Sequence, residues 1–136
     1  MSREHLNIMV LEDEPSLREL MYEMLKQNYQ EDIVMSTDKP EIALIYPADL
    51  YFLDYNLKGK SVKGSDVASV LRTQDRDIFL VHYSSVALND LKDKESNLYD
   101  SCLPKPFSYE LLCELVDFAR ATLKPNDSLE DIMIRR

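Results

Sequence analysis

A short apolar run near the middle of the chain ends in a single acidic residue, Asp54. Residues 50–53 read LYFL, Pro47 lies upstream, and the polar segment 58–60 (KGK) follows. A run that is apolar at every position is typical of a strand buried on both faces of a parallel sheet. A carboxylate at the carboxyl end of such a strand lies where open α/β sheets place their ligand chemistry. Asp54 could equally cap a loop, so the remaining segments have to decide.

Apolar strands alternate with helical patterns along most of the chain. The predicted strands cover 6–11, 32–36, 50–54, 78–83 and 101–103, and helices are predicted near 15–28, 38–46, 86–96 and 108–123. A further helix is predicted to begin after 64–65, with Val67, Val70 and Leu71 on one face. Asp38 is the predicted N-cap of the second helix. Five βα units joined by short loops predict a parallel sheet covered on both faces. We therefore predict one α/β domain over residues 1–123, followed by a tail at 124–136 that is either a short helix or disordered.

Charge and hydropathy exclude several classes of protein. Lys plus Arg number 16 and Asp plus Glu 25, and the net charge of −9 argues against general affinity for nucleic acid or for an anionic membrane. No apolar run approaches a membrane span, and the N-terminus lacks the apolar stretch of a signal peptide. We expect a cytoplasmic protein. Cys102 and Cys113, the two cysteines, lie within apolar patterns and are predicted to be core residues.

Four predicted strand ends carry polar groups of complementary chemistry. Glu12 and Asp13 follow the first strand, Asp54 ends the third, Ser84 follows the fourth and Lys105 the fifth. The carboxyl ends of parallel strands meet at one edge of the sheet, so these groups should converge. Three carboxylates about 4 Å apart repel one another by roughly 1–4 kcal/mol per pair. An all-oxygen site of this kind suits Mg²⁺.

A cation beside a carboxylate, a hydroxyl and a lysine is an arrangement for phosphoryl transfer. Asp54 would accept the phosphoryl group as an acyl phosphate, while Lys105 and the metal neutralise its oxygens and Ser84 donates a hydrogen bond. Each group also has a structural interpretation taken alone. The acidic pair could interact with a helix dipole, the serine could cap a strand, and the lysine could be a solvated charge.

The sequence resembles the receiver domains of two-component response regulators. The resemblance rests on four motifs in the family's order and spacing over about residues 6–123, namely VLEDEP at 10–15, FLDYNL at 52–57, YSS at 83–85 and LPKPF at 103–107. It implies a flavodoxin-like receiver fold, a doubly wound five-stranded parallel sheet in the order 2-1-3-4-5.

The resemblance also implies a function. Asp54 would be phosphorylated by a histidine kinase or a histidine phosphotransfer protein, with Ser84 and Lys105 assisting. Mg²⁺ would be held by Glu12, Asp13, Asp54 and the main-chain carbonyl of Asn56. Such a chain is a phosphoacceptor that promotes its own phosphoryl transfer and dephosphorylation, and is not otherwise an enzyme. We expect a stand-alone regulator, a monomer or a phosphorylation-linked dimer, that signals through a downstream protein target.

Three positions depart from the family pattern. Glu12 stands where Asp is more common, and Lys58 replaces a usual proline. Cys102 occupies the position, three before Lys105, where an aromatic residue is general.

Two other functions are compatible with parts of the pattern. A haloacid-dehalogenase-type phosphatase uses a strand-end aspartate with Mg²⁺, but it needs a second Asp two residues later as a general acid, and this chain has Asn56 there. A receiver-like module that binds partners without phosphorylation is the closer alternative. Such a module has no need to keep three repelling carboxylates together.

Overall fold

Five parallel strands form a single sheet in the computed structural model, which describes residues 3–125. The strands are β1 (Asn7–Leu11), β2 (Ile33–Thr37), β3 (Leu50–Asp54), β4 (Phe79–Ser84) and β5 (Ser101–Pro104). The helices are α1 (Pro15–Asn28), α2 (Pro40–Ile45), α3 (Gly64–Arg72), α4 (Asp93–Ser96) and α5 (Tyr109–Thr122), with a 3₁₀ turn at Leu88–Asp90 before α4. The order β2-β1-β3-β4-β5 confirms the predicted doubly wound sheet.

Burial on both faces explains the uninterrupted apolar strands. Alternate side chains of β1, β3 and β4 enter two separate cores. One core, which includes Val10, Phe52 and Val81, packs against α1 and α5. The other, which includes Leu11 and Leu53, packs against α2 and α3. The central strand β3 is buried at all five positions, so its polar end residue is positioned by a rigid element.

The ends of the helices follow the expected chemistry in part. Ser108 caps α5 by accepting a hydrogen bond from the N–H of Leu111 at 3.2 Å, as predicted. The prediction that Asp38 caps α2 is wrong, because Lys39 is the N-cap and makes no side-chain cap. The carboxylate of Asp38 instead pairs with Lys39 at the surface.

The segment between β4 and β5 is the least regular part of the described chain. A single helix was expected over 86–96, but the structure has the 3₁₀ turn and the four-residue α4. Within the segment, Leu91 and Tyr99 are buried, and Val86, Leu88 and Leu98 pack against the second core. These contacts are made by short turns and not by one amphipathic helix.

Several other expectations concern the surface and the tail. Cys102 and Cys113 are only partly buried, whereas the sequence predicts that they are core residues. Within residues 3–125, no helix is long and apolar enough to cross a bilayer. The helix-or-disorder prediction for the tail falls on residues 126–136, which lie outside the described residues.

Candidate phosphoryl-transfer site

The register of the sheet brings the predicted strand-end residues to one edge. Leu11 of β1 pairs with Leu53 of β3, so Glu12 and Asp13 leave the sheet beside Asp54. On the other side of β3, Asp54 pairs with Tyr83, and Ser84 follows it along β4. Lys105 comes directly after β5. Its N–H donates to the carbonyl of Ser84 at 3.1 Å.

The three predicted carboxylates form one cluster. Glu12, Asp13 and Asp54 each offer a carboxylate oxygen, and these oxygens lie within 4.8 Å of one another. Glu12 is fully buried and Asp54 is 2% exposed, while Asp13 is partly open to solvent. The Oδ2 atom of Asp54 is buried and has no hydrogen-bond partner among the described residues. Hard oxygen donors with one free buried acceptor fit a divalent cation such as Mg²⁺.

Asp13 is held in place by the loop that follows β3. Its Oδ2 accepts a hydrogen bond of 2.7 Å from the backbone N–H of Lys58. Partial burial acts to raise the pKa of Asp13, but hydrogen bonds from Lys58 and from the neighbouring acids lower it below its usual value. Lys58 therefore contacts the carboxylate cluster through its backbone N–H and not through its charged side chain. The side chains of Lys58, Lys60 and Lys63 in this loop are exposed.

Lys105 bridges two of the carboxylates. Its Nζ lies 2.9 Å from Oε1 of Glu12 and 3.1 Å from Oδ1 of Asp54. The peptide bond between Lys105 and Pro106 is cis. Burial acts to lower the pKa of Lys105, but the bond to Glu12 and the charge of Asp54 raise it above the ordinary value. The lysine therefore stays charged at neutral pH.

Asp54 has an unusual pKa in this environment. Burial raises it most, and the neighbouring Glu12 raises it further, so that the pKa reaches about 8 despite the opposing effect of Lys105. Without a cation the site therefore favours protonated Asp54 near neutral pH. A carboxyl group whose pKa is this far from its usual range, in a cleft with a charged partner, is typical of a functional site.

Ser84 is oriented by the backbone that follows it. Its Oγ accepts a hydrogen bond of 3.0 Å from the N–H of Val86, and the side chain is buried at the end of β4. A hydroxyl that accepts from the residue two positions ahead keeps its own proton free to donate elsewhere. The Ser84 hydroxyl therefore keeps a proton that it can donate, and the role predicted for it at the carboxylate cluster stays a prediction.

Tyr83, the residue before Ser84 on β4, lies against the ammonium of Lys105. The ammonium of Lys105 lies over its ring, 4.4 Å from the centroid, and Phe107 packs edge-on at 6.1 Å. Burial and the charge of Glu12 raise the pKa of its hydroxyl. Tyr83 belongs to the motif YSS at 83–85, but a buried strand position does not by itself show that a lysine ammonium lies over its ring.

Gly64 was not recognised as part of the site. A Cβ placed on it would lie 2.1 Å from the carbonyl oxygen of Asp54, and its own N–H donates to the carbonyl of Tyr55 at 3.0 Å. The start of α3 therefore packs directly on the backbone of the acceptor residue. Asn56 lies exposed two residues beyond β3, and the role predicted for its carbonyl stays a prediction.

Together these features define a doubly wound parallel α/β domain with an acidic cleft at the switch point between β1 and β3. No protein-family model and no curated protein sequence matches the chain. Solved structures do. The response regulator TrrA from Thermotoga maritima, in complex with Mg²⁺ and BeF, is 26% identical, with a TM-score of 0.71 over 83% of this chain and 97% of that one.

Two further neighbours are receiver domains of known structure. A CheY-like response regulator receiver domain from Methylobacillus flagellatus is 21% identical, with a TM-score of 0.70 over 83% of this chain and 97% of that one. The receiver domain of NtrX from Brucella abortus is 22% identical, with a TM-score of 0.71 over 85% of this chain and 98% of that one. The chain has the flavodoxin-like receiver fold of response regulators.

Proposed function

We propose that this chain is a response-regulator receiver that is phosphorylated on Asp54 by a histidine kinase or a histidine phosphotransfer protein. The observation that carries the proposal is the ammonium of Lys105, which joins Glu12 to Asp54 while Oδ2 of Asp54 remains without a partner. One oxygen of the acceptor is thus held by a cation, and the other is available for attack.

The reaction requires an ionised Asp54 and neutralisation of the incoming charge. Oδ2 would attack the phosphorus of a phosphohistidine, so that a P–O bond forms, the P–N bond breaks and the imidazole takes up a proton. Lys105 would neutralise one phosphoryl oxygen and the Ser84 hydroxyl would donate to another. This makes the chain a phosphoacceptor that promotes its own phosphorylation and dephosphorylation.

Glu12, Asp13 and Asp54 would hold Mg²⁺, and the carbonyl of Asn56 would complete the set. When bound, the ion supplies positive charge that favours the ionised form of Asp54 and offsets the charge of the phosphoryl oxygens. The clustered carboxylate oxygens support this assignment. The TrrA structure, which holds Mg²⁺ and BeF, supports it by analogy.

The phosphodonor would dock beside Lys105. An apolar cleft of about 390 Å³ opens there between α1 and the start of the β5–α5 loop. It is lined by Leu17, Leu20, Met24, Lys105, Pro106 and Phe107. Leu20 is 48% exposed and belongs to the apolar lining of this cleft. A helical donor that presents its histidine at the cleft would cover Leu20. A downstream target protein would then respond to the phosphorylated form of the chain.

Intact mass tests the proposal. Wild type, Asp54→Asn and Asp38→Asn are incubated with acetyl phosphate, with and without Mg²⁺. Asp38 is the matched control, because it lies at the carboxyl end of a strand, as Asp54 does, but is outside the carboxylate cluster. We expect a Mg²⁺-dependent gain of about 80 Da, one phosphoryl group, in wild type and in Asp38→Asn but not in Asp54→Asn.

The alternative function predicts a different result. If wild type gains no mass from acetyl phosphate or from a phosphorylated histidine phosphotransfer protein, the phosphoacceptor function is wrong. The chain would then be a receiver-like module that binds its partners independently of phosphorylation.

A further inference from the structure

Both backbone polar groups of Val86 are held by side chains of β4. Its N–H donates to Oγ of Ser84 at 3.0 Å, and its carbonyl lies 2.8 Å from Nε2 of His82. The hydroxyl at the end of β4 is therefore connected to the imidazole two residues earlier through a single loop residue. The carbonyl can only accept, so Nε2 of His82 carries the proton and donates it.

His82 is fixed by its surroundings. The side chain is 1% exposed, and its ring lies between the rings of Tyr55, at a centroid distance of 5.5 Å, and Tyr99, at 5.0 Å. Burial lowers its pKa, so the imidazole is neutral near pH 7. Its Nδ1 has no hydrogen-bond partner among the described residues, which leaves the bond to Val86 as the polar contact that orients the ring.

The segment that His82 holds contains little regular secondary structure. Only a 3₁₀ turn and the four-residue α4 follow it, and Val86 is itself partly exposed. Without the bond from His82, the carbonyl of Val86 would turn to water and its N–H would lose its fixed direction toward Ser84. The hydrogen bond that the Ser84 hydroxyl accepts, and that restricts its orientation, would be lost with it.

We propose that His82 is a positioning residue that sets the orientation of the Ser84 hydroxyl through the backbone of Val86. The inference rests on the proposed function for its effect on phosphoryl transfer, since Ser84 acts there as a hydrogen-bond donor. The link itself, from imidazole to backbone to hydroxyl, is independent of that function and is tested separately.

Amide hydrogen exchange tests the link without any phosphodonor. His82→Leu removes the donor and keeps an apolar side chain, whereas His82→Gln keeps an N–H donor at the end of the side chain. We expect the exchange protection of the Val86 amide to fall about tenfold in His82→Leu, the effect of one lost hydrogen bond, and to be restored in His82→Gln. Unchanged protection of Val86 in a folded His82→Leu would overturn the inference.

A double-mutant cycle tests the consequence for transfer. The initial rate of phosphorylation by acetyl phosphate is measured for wild type, His82→Leu, Ser84→Ala and the double variant. If His82 acts through Ser84, His82→Leu should slow wild type about tenfold and the Ser84→Ala protein less than about twofold. Equal slowing in both backgrounds would mean that His82 only stabilises the fold, and would contradict a positioning role.

The two experiments separate this inference from the proposed function. A wild type that takes up no phosphoryl group contradicts the phosphoacceptor function, while the exchange of Val86 still decides whether His82 controls the Ser84 contact. Phosphorylation of wild type with normal Val86 exchange in His82→Leu would support the function and refute the inference.

Discussion

Nζ of Lys105 lies 3.1 Å from Oδ1 of Asp54, although Asp54 ends β3, Lys105 follows β5, and β4 lies between these two strands in the sheet. The long aliphatic stem lets the ammonium cross the intervening strand, where it also meets the ring of Tyr83. The acidic cleft thus contains the ammonium of Lys105. This positive charge offsets only part of the repulsion between the carboxylates of Glu12 and Asp54.

The stability of the metal-free protein should fall as the pH rises from about 4 to about 8. Burial and Glu12 raise the pKa of Asp54 from 3.8 to about 8, so the unfolded chain releases this proton at a lower pH than the folded chain. Asp54→Asn removes the effect and should raise the free energy of unfolding at pH 8 by roughly 1–4 kcal/mol, with little change at pH 4. Urea unfolding in EDTA at the two pH values measures it.

Asp38→Asn is the control for that experiment. Its carboxylate lies at the surface, paired with Lys39, and should leave the pH dependence of wild type intact. Parallel pH profiles for wild type and Asp54→Asn would show that Asp54 does not titrate in the manner described.

Gly64→Ala should damage both fold and site. The new Cβ would lie 2.1 Å from the carbonyl oxygen of Asp54, so the backbone of the acceptor or of α3 must move. We expect a loss of about 3 kcal/mol or more of stability, together with weaker Mg²⁺ binding.

Gly59→Ala provides the comparison. That glycine has φ of +71° and no atom within 4 Å of an added Cβ, so only the left-handed conformation is penalised, at about 1–2 kcal/mol. Chemical denaturation and calorimetric titration with Mg²⁺ measure both variants. Equal losses in the two would contradict the close packing of α3 on Asp54.

The elements of the fold were largely predictable from local patterns. The largely apolar runs 50–53 and 78–83 predict β3 and β4, because both strands are buried on both faces, where most positions are apolar. The candidate residues Glu12, Asp13, Asp54, Ser84 and Lys105 could be named from the sequence because parallel strands place their carboxyl ends at one edge of the sheet. The register of the strands brings Glu12, Asp13, Asp54 and Lys105 into contact, and the roles of all five residues stay predictions.

Contacts between elements were not predictable in the same way. Val70 was predicted on the buried face of α3 but is 45% exposed, because Val67, Ala68 and Leu71 fill that face. The clash distance at Gly64 depends on how α3 lies across β3. Neither relationship leaves a periodic signal in the sequence, since each is decided by tertiary packing.

Arg120 and Asp32 should form the ion pair that contributes most to stability. Asp32 is buried, accepts the N–H of Leu6 at 2.8 Å and is bound by both terminal nitrogens of Arg120. Arg120→Met would leave a buried carboxylate without its cation and should cost about 3–5 kcal/mol.

An exposed pair tests the specificity of that effect. Lys39→Met breaks the surface pair with Asp38, whose side chains are 57% and 43% exposed, and should change stability by less than about 0.5 kcal/mol. Thermal and urea unfolding give both values. A small loss of stability in Arg120→Met would show that the packing of α5 does not depend on the ion pair between Arg120 and Asp32.

Leu20→Glu should separate phosphorylation by a protein donor from phosphorylation by a small molecule. Leu20 lines the cleft beside Lys105, so a charge there should slow transfer from a histidine phosphotransfer protein at least about tenfold, while acetyl phosphate still works. Val70→Glu, at a similarly exposed position on α3, is the control. Equal slowing by both variants, or none by Leu20→Glu, would place the donor elsewhere.

Chemical mapping of the modified residue decides whether Asp54 is the acceptor. Borohydride reduces an acyl phosphate to the alcohol, so a phosphorylated aspartate becomes homoserine, which peptide mass spectrometry locates in the chain. After treatment with acetyl phosphate and Mg²⁺, we predict homoserine at position 54 alone and none when Mg²⁺ is omitted. Homoserine at another position, or a phosphoryl group that resists reduction because it sits on a hydroxyl or an imidazole, would contradict the assignment of Asp54.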